Sequence, residues 1–302
     1  MKPIIHLETI SEINRFVQQG GVKHPMVAII DFSKVDEYLE VGTRISCGFY
    51  SIMFKNYCIN HMKYGRQQYD FQEGSLICIA PRQVVELDSE IEKRDDMMGW
   101  GLFFHPDLVR GTSLGAKMKD YSFFSYETSE ALHLSEKEKQ VLYDCIIKIG
   151  EELNENIDHH SQNLIVSNIE LLLNYCSRYY GRQFITRKNL NRDVVVQVEK
   201  ALKEYFDAND RLKEGLPTVG YLADCVNLSP NYLSDLLKKE TGMNAKEHIH
   251  HFVIEEAKNI LLGSNKTIGE IAYQLGFEYP QYFSKLFKQK TGTTPQEFRY
   301  LN

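Results

Sequence analysis

Cysteine and histidine side chains are the first candidates for chemistry in this 302-residue chain, because they ligate metals and act as nucleophiles or bases. The six cysteines are far apart and form no C-x-x-C pair: Cys47, Cys58, Cys78, Cys145, Cys176 and Cys225. His61 and His105 stand alone in candidate strands, and only His248 and His251 share a face of a candidate helix. The sequence therefore predicts reduced, structural thiols, no metal site, no cofactor and no catalytic centre.

Two similar segments near the end of the chain carry polar side chains at helical spacing. Residues 229–242 (SPNYLSDLLKKETG) align with residues 279–292 (YPQYFSKLFKQKTG) at an offset of 50, with seven identities in fourteen positions. The outward positions are Asn231, Ser234, Asp235 and Lys238 in the first segment, and Gln281, Ser284, Lys285 and Lys288 in the second. Amide and ammonium groups can hydrogen-bond to base edges in the major groove of DNA, so the pattern indicates DNA recognition.

Each segment is the second helix of a repeated helix, turn and helix unit. The preceding residues match at an offset of 49, with Ala223 on Ala272, where a small side chain lets two helices approach closely. Ser229 followed by Pro230 predicts a helix start, and Thr267 with Glu270 predicts a capping box. A plain helical bundle would show the same apolar stripe, but two matched copies favour two helix-turn-helix units, at residues 218–242 and 267–292.

A helix over residues 245–262 is expected between the two units. At 1.5 Å per residue it would be ~27 Å long. Major-groove segments on one side of B-DNA recur every ~34 Å, so a connector of this length could hold two recognition helices in adjacent grooves.

The first part of the chain shows short β-rich runs separated by turn signals, which are typical of a sandwich or barrel. The predicted strands are residues 26–30, 45–54, 57–61, 75–79, 84–87 and 97–104. Aromatic residues are frequent here, and they either line a pocket or fill the core.

Helical periodicity replaces this pattern from Ser135, which forms a predicted capping box with Glu138. A second helix over residues 162–180 carries a heptad-like seam, to which we assign a homodimer interface: Ile165, Ile169, Leu172, Cys176 and Tyr179. The alternative is that these side chains are buried in the chain's own core. The polar and basic stretch after Gly181 predicts a linker.

Composition favours an ordinary globular chain, with 43% hydrophobic and 25% charged residues. No apolar run is long enough to span a bilayer, so a cytoplasmic location and no membrane partner are expected. The net charge of −6 alone would not indicate a nucleic-acid partner. From residue 278 onward, however, four basic residues face two acidic ones, so any DNA contact must depend on local placement.

The last hundred residues resemble the AraC family of bacterial transcription regulators. The second unit carries the family signature in residues 268–299, including Gly276-Phe277, Phe287-Lys288 and Thr294-Pro295. The resemblance implies DNA contacts from both second helices, which we assign to Ser229, Asn231, Tyr232, Ser234, Asp235, Lys238, Lys239, Tyr279, Gln281, Ser284, Lys285 and Lys288. Asp235 departs from the basic or amide residue that is usual at its position. Its carboxylate would be repelled by DNA phosphates.

Residues 71–85 resemble, more weakly, the cupin-like sensor domain that precedes a helical dimerisation segment in this family. The expected fold class is α+β and multidomain: a cupin-like β-barrel (1–134), a helical dimerisation segment (135–182), a linker (183–193) and an all-α DNA-binding domain (194–302). The expected partners are double-stranded DNA, a second copy of the chain, RNA polymerase and a small-molecule effector. Alternatively, the first domain only dimerises or binds a protein, and a cupin enzyme is the least favoured class.

Overall fold

The computed structural model describes residues 3–18, 23–35, 43–55, 63–64, 67–68, 74–86, 99–127, 130–155, 158, 160–186, 188–207 and 215–301. Contacts divide the chain into two compact units, Met1–Gln183 and Phe184–Asn302. The first unit is α+β and the second is helical, as the sequence predicts.

The first unit contains ten described strands: β1 (Ile4–Leu7), β2 (Val27–Asp31), β3 (Arg44–Cys47), β4 (Tyr50–Lys55), β5 (Lys63–Tyr64), β6 (Gln67–Gln68), β7 (Ser75–Ile79), β8 (Val84–Glu86), β9 (Gly99–Phe104) and β10 (Leu132–His133). They form a five-stranded sheet in the order β10-β7-β4-β9-β2, a three-stranded sheet in the order β1-β3-β8, and the pair β5-β6. Strand β1 is parallel to β3, and the other pairs are antiparallel.

Side chains alternate between the two faces of the five-stranded sheet, as a strand period of two requires. One face contributes Ala28, Ile30 and Phe103 to an apolar cluster that also contains Leu7 and Phe49. Partly buried Ile5 and Ile45 of the three-stranded sheet pack against the same cluster. The core of the first unit therefore includes side chains from both sheets.

The predicted strand at 75–79 is present as expected, and the one at 26–30 is shifted by one residue. The described parts of the strands predicted at 84–87 and 97–104 are also strands, and residues 87, 97 and 98 lie outside the described residues. The single run predicted over 45–54 is two strands, β3 and β4, since Gly48 and Phe49 break the pairing. The predicted strand at 57–61, with His61, lies outside the described residues. The expected closed barrel does not form among the described strands, which belong to separate sheets.

Five described α-helices accompany these strands in the sequence: α1 (Ile10–Phe16), α2 (Pro106–Val109), α3 (Ser113–Lys117), α4 (Glu136–Glu152) and α5 (Ser161–Thr186). The capping box at the start of α4 is present, with Ser135 and Glu138 each bonding the other's backbone N–H. The helix predicted over 162–180 is α5, which runs six residues further to Thr186.

The side chains assigned to a dimer seam on α5 are all buried within the chain: Ile165, Ile169, Leu172, Cys176 and Tyr179. That assignment is wrong for these five residues, because their heptad-like spacing reflects packing on the core of the first unit. Leu164 and Leu171, on another face of α5, are exposed.

The second unit comprises the last residues of α5 and seven further helices: α6 (Lys188–Asp207), α7 (Val219–Val226), α8 (Pro230–Thr241), α9 (Ala245–Gly263), α10 (Ile268–Gln274), α11 (Pro280–Thr291) and α12 (Pro295–Leu301). The linker predicted at 183–193 is instead helical, apart from residue 187, which lies outside the described residues. Its polar residues have adequate helix propensity and include no proline, and Phe184 and Asn191 within it are buried.

Candidate nucleic-acid interface

The first helix-turn-helix consists of α7 and α8, and polar caps define both helices. The Thr218 hydroxyl caps α7, which ends at Asn227 with a left-handed φ of 53°. The Ser229 hydroxyl accepts the backbone N–H of Tyr232 at 3.3 Å, and Pro230 is the first residue of α8. These caps terminate α7 and begin α8 within three residues, which is the tight turn that the motif needs.

The second helix-turn-helix consists of α10 and α11 and has one extra residue in the turn. Thr267 and Glu270 form the predicted capping box of α10. Gly276 adopts a φ of 87°, and a Cβ atom there would lie 2.9 Å from the backbone of Gly215. Glycine is therefore required at this position both for its conformation and for its close backbone contact.

The two recognition helices, α8 and α11, end with the same hydrogen bonds. The Thr241 hydroxyl donates to the carbonyl of Leu237 at 2.8 Å, and the Thr291 hydroxyl donates to the carbonyl of Phe287 at 2.8 Å. Gly242 and Gly292 then terminate the helices with φ angles of 80° and 83°. The repeat seen in the sequence is therefore a repeat of local structure down to individual hydrogen bonds.

Helix α9 occupies the position predicted for the connector and contacts both recognition helices. Its buried residues Ile249, Val253, Ala257 and Leu261 recur at helical spacing. His248 is also buried, burial lowers its pKa, and its Nε2 lies 2.7 Å from the Thr241 hydroxyl. His248 is therefore a packed residue of α9.

The polar side chains assigned to DNA contact are largely accessible. Asn231, Lys238 and Lys239 on α8 are exposed, as are Tyr279, Gln281, Lys285 and Lys288 at α11. Ser234, Asp235 and Ser284 are half-buried, and the Ser284 hydroxyl donates to the carbonyl of Pro280 at 3.1 Å. Thus α11 presents an amide and two ammonium groups to solvent, whereas α8 presents a carboxylate among its polar groups.

The burial of Ser229 and Tyr232 contradicts their assignment to DNA contact. The Tyr232 side chain is only 1% exposed and packs against Phe184, with ring centroids 5.0 Å apart. Ser229 is buried, and its hydroxyl caps α8. Both residues therefore stabilise the unit and offer no side chain to a ligand.

Tyr282 is a candidate interface residue that the sequence analysis did not assign. It occupies the position in α11 that Tyr232 occupies in α8, yet it is 61% exposed. Its ring makes an edge contact with Tyr279 at 5.7 Å. The signal was present in the sequence, because Tyr282 aligns with Tyr232, which was assigned to DNA contact, but only the structure shows that the two side chains differ in exposure.

The described residues do not form a metal centre or a membrane-spanning helix. No group of three or more His, Cys, Asp or Glu side chains in the described part of the chain converges to hold a metal. His105 caps the short helix α2, with its Nδ1 accepting the N–H of Asp107 at 3.2 Å. None of the described helices is both long enough and apolar enough to cross a membrane.

Comparison with known proteins identifies the segment that contains both recognition helices. The family described as "Helix-turn-helix domain" matches residues 222–300. Residues 222–300 form an AraC-type helix-turn-helix domain. The predicted resemblance is thereby confirmed for this segment.

Relatives of this AraC-type domain are transcriptional regulators. The chain is 26% identical over 186 residues to the uncharacterized HTH-type transcriptional regulator YijO of Escherichia coli K12, covering 62% of each chain. It is 38% identical over 101 residues to the bifunctional transcriptional activator/DNA repair enzyme AdaA of Bacillus subtilis, covering 33% of this chain and 46% of AdaA. The chain thus spans less than two thirds of the length of these relatives.

Solved structures similar to the chain include the C-terminal domain of the response regulator yesN from Fusobacterium nucleatum. That domain is 29% identical, covers 34% of this chain and 93% of its own, and gives a TM-score of 0.30. ToxT from Vibrio cholerae is 14% identical and covers 91% of this chain and 98% of its own, also with a TM-score of 0.30.

Proposed function

We propose that this protein is a sequence-specific transcription regulator that binds double-stranded DNA through α8 and α11. The observation that carries the proposal is the duplicated helix-turn-helix, in which each recognition helix begins at a proline, ends at a left-handed glycine and has the same buried stripe and outward polar positions. Its regulator relatives support the same function. A protein that binds DNA in this way works in the compartment that holds the DNA, so we retain the expected cytoplasmic location.

The second unit makes the base-specific contacts in this proposal. Gln281 can pair with adenine, and the exposed ammonium of Lys285 can reach guanine acceptors, each interaction being worth about 1–3 kcal/mol of discrimination. Lys288, one helical turn further along α11, is exposed and can neutralise phosphate.

The first unit contributes orientation more than base reading. Asn231 and the exposed Lys238 and Lys239 can bind bases or backbone, but the Asp235 carboxylate is repelled by phosphates. An acidic side chain can accept a hydrogen bond from a cytosine amino group, so α8 would favour cytosine if it reads a base at all.

The experiment that tests this function is retardation of the chain's own promoter DNA by the full-length protein at low salt. Binding should weaken steeply as salt rises, because Lys side chains release counterions from phosphates. The matched variant Lys285→Ala should bind less tightly than wild type. A folded protein that retards no promoter fragment would remove the proposal.

We also propose that the protein is a homodimer, now through the exposed face of α5. Leu164 and Leu171 are seven residues apart and remain exposed, so two copies of α5 could bury them against each other. A dimer would present four helix-turn-helix units and raise apparent affinity by effective concentration. Contact with RNA polymerase remains a further proposal from the family resemblance.

The first unit is, in our proposal, a cupin-like sensor that responds to a small-molecule effector. Support comes from its two main sheets, which share one apolar core. The alternative is that this unit only dimerises or binds a protein partner. Catalysis is less favoured, since the relatives are regulators. AdaA is named as a bifunctional activator and DNA repair enzyme, but the match to it covers only 101 residues.

A further inference from the structure

A cleft of about 1170 Å³ lies within the first unit between α4 and the five-stranded sheet. Its lining includes Ile29 of β2, Trp100 of β9, and Tyr143 and Ile147 of α4. A Cβ atom added to Gly150 would lie 3.6 Å from Ile29 Cδ1, so α4 packs closely on β2 at that point. The cleft is large enough for a small-molecule ligand.

The walls of the cleft include apolar surface that is open to solvent. Tyr143 and Ile147 are one turn apart on α4 and are both exposed, although each has an apolar body. The rings of Trp100 and Phe54 lie against each other on the sheet side, with centroids 6.0 Å apart. Exposed apolar side chains in a concave site are a usual feature of ligand pockets.

Two hydrogen-bond donors in the lining have no buried acceptor among the described residues. Trp100 is 7% exposed, and within the described part of the chain its indole N–H has no hydrogen-bond acceptor. The Lys139 side chain is only 13% exposed, and its ammonium pairs with Glu136, whose own side chain is 82% exposed. A buried donor without an acceptor is costly, and an exposed carboxylate is easily exchanged for an acceptor on a ligand.

The remaining charged groups of the lining are satisfied locally. Asp31 accepts hydrogen bonds from Ser33 and an ion pair from Lys34 at 3.0 Å. Burial pushes the pKa of Asp31 upward, but the hydrogen bonds from Ser33 and Lys34 outweigh it and lower the pKa overall. Lys23 donates to the side-chain oxygen of Asn154. Lys139 and Trp100 are therefore the donors with most to gain from a ligand.

We propose that this cleft binds a small organic anion, with a carboxylate or sulfonate at Lys139 and Trp100 and an apolar body against Tyr143 and Ile147. A ligand carboxylate would replace the exposed Glu136 as partner of Lys139 and supply an acceptor to the indole. As an effector site the cleft rests on the function proposed above, whereas as a binding site it stands on its own.

The test uses the full-length protein and two fluorescent probes of similar shape. Anilinonaphthalene sulfonate carries the anion, and phenylnaphthylamine is its uncharged counterpart. Trp100 is the single tryptophan of the chain, so energy transfer from it reports on a probe in the cleft. The sulfonate should bind saturably, at one probe per chain.

Lys139→Met should weaken binding of the sulfonate about tenfold, equivalent to about 1.4 kcal/mol, and change binding of phenylnaphthylamine less than about twofold. Lys137→Met is the matched control, because Lys137 is an exposed lysine of the same helix outside the cleft lining, and it should change neither. If the Lys139 variant does not fold, Ile147→Glu at an exposed position serves instead and should also weaken the sulfonate at least tenfold. Absence of saturable binding, or equal losses in the Lys137 and Lys139 variants, would overturn the proposal.

Promoter retardation by the same variants separates this claim from the proposed function. The Lys139 variant should bind promoter DNA as wild type does in the absence of probe. Protein that binds DNA but not the sulfonate would overturn the cleft alone. Protein that binds the sulfonate but no DNA would keep the cleft and contradict the regulator function.

Discussion

Tyr232 and Tyr282 hold equivalent positions in the two recognition helices, yet only Tyr232 is covered by the chain. Tyr232 packs against Phe184 at the end of α5, whereas Tyr282 faces solvent. The same residue type therefore serves the core in one repeat and is available to a ligand in the other. This difference follows from the surroundings of each copy, which the repeat itself does not encode.

Tyr232→Ala should lower the free energy of unfolding of the second unit by about 3–5 kcal/mol, because it removes a large, fully buried side chain. Tyr282→Ala is the matched control and should change that free energy by less than about 0.5 kcal/mol. Urea unfolding of residues 184–302, followed by circular dichroism, measures both. Similar losses in the two variants would mean that the environments of the two tyrosines have been misassigned.

Lys285→Ala should relax base specificity more than Ser234→Ala. The exposed Lys285 can reach guanine acceptors, while Ser234 is half-buried beside Asp235. We expect Lys285→Ala to lose about 1–3 kcal/mol of discrimination at one or two base pairs, measured on a panel of single-base operator variants. Equal effects of the two substitutions would contradict the ranking of α11 over α8.

At the scale of elements, α5 offers two faces with different roles. Ile165 and Leu172 are buried in the first unit, whereas Leu164 and Leu171 are 49% and 40% exposed. The heptad-like spacing of apolar residues identified the buried face of α5. Spacing alone does not distinguish burial in the core from burial in a dimer, since both produce the same pattern.

The double variant Leu164→Glu with Leu171→Glu should be a folded monomer with weakened promoter binding. The matched pair Ile165→Glu with Leu172→Glu should instead destabilise the first unit, because it buries two charges in the core. Sedimentation and circular dichroism distinguish these outcomes. A wild-type protein that is monomeric at micromolar concentration would refute the dimer.

Helix boundaries in the second unit were predictable because their signals are local. Thr267 with Glu270, Pro230 after Ser229, and Gly242 each act within a few residues, and all are observed. The linker was mispredicted because the burial of Phe184 and Asn191 depends on distant partners: Phe184 packs on Tyr232, and Asn191 donates to Glu240 at 3.0 Å. Polar composition alone does not indicate such contacts.

At the scale of the whole molecule, these contacts change where the DNA-binding unit begins. A fragment of residues 184–302 should be more stable than one of residues 194–302, because the shorter fragment lacks Phe184 and Asn191. We expect the longer fragment to unfold at higher temperature and to bind DNA more tightly. Equal melting temperatures and affinities would show that these residues do not support the unit.

The overall charge of the protein limits which residues can supply the proposed DNA binding. There are 21 basic and 26 acidic residues up to residue 188, and 14 and 15 after it, so neither part is basic. Affinity must then come from the lysines of α8 and α11, and it should be modest and salt-sensitive.

The cleft between α4 and the five-stranded sheet could not be predicted from the sequence, because its lining comes from strands and a helix that are distant along the chain.

Selection of binding sites from a random pool of double-stranded DNA by the full-length protein tests whether α8 and α11 read base sequence. We expect enrichment of a half-site with two recognised segments about 10 base pairs apart, which is one helical turn, and the proposed dimer would enrich two such half-sites. The segment read by α11 should be the more strictly defined, and Lys285→Ala should lose its preference there. Folded wild-type protein that enriches no sequence, or enriches only one segment that Lys285→Ala leaves unchanged, would contradict the account.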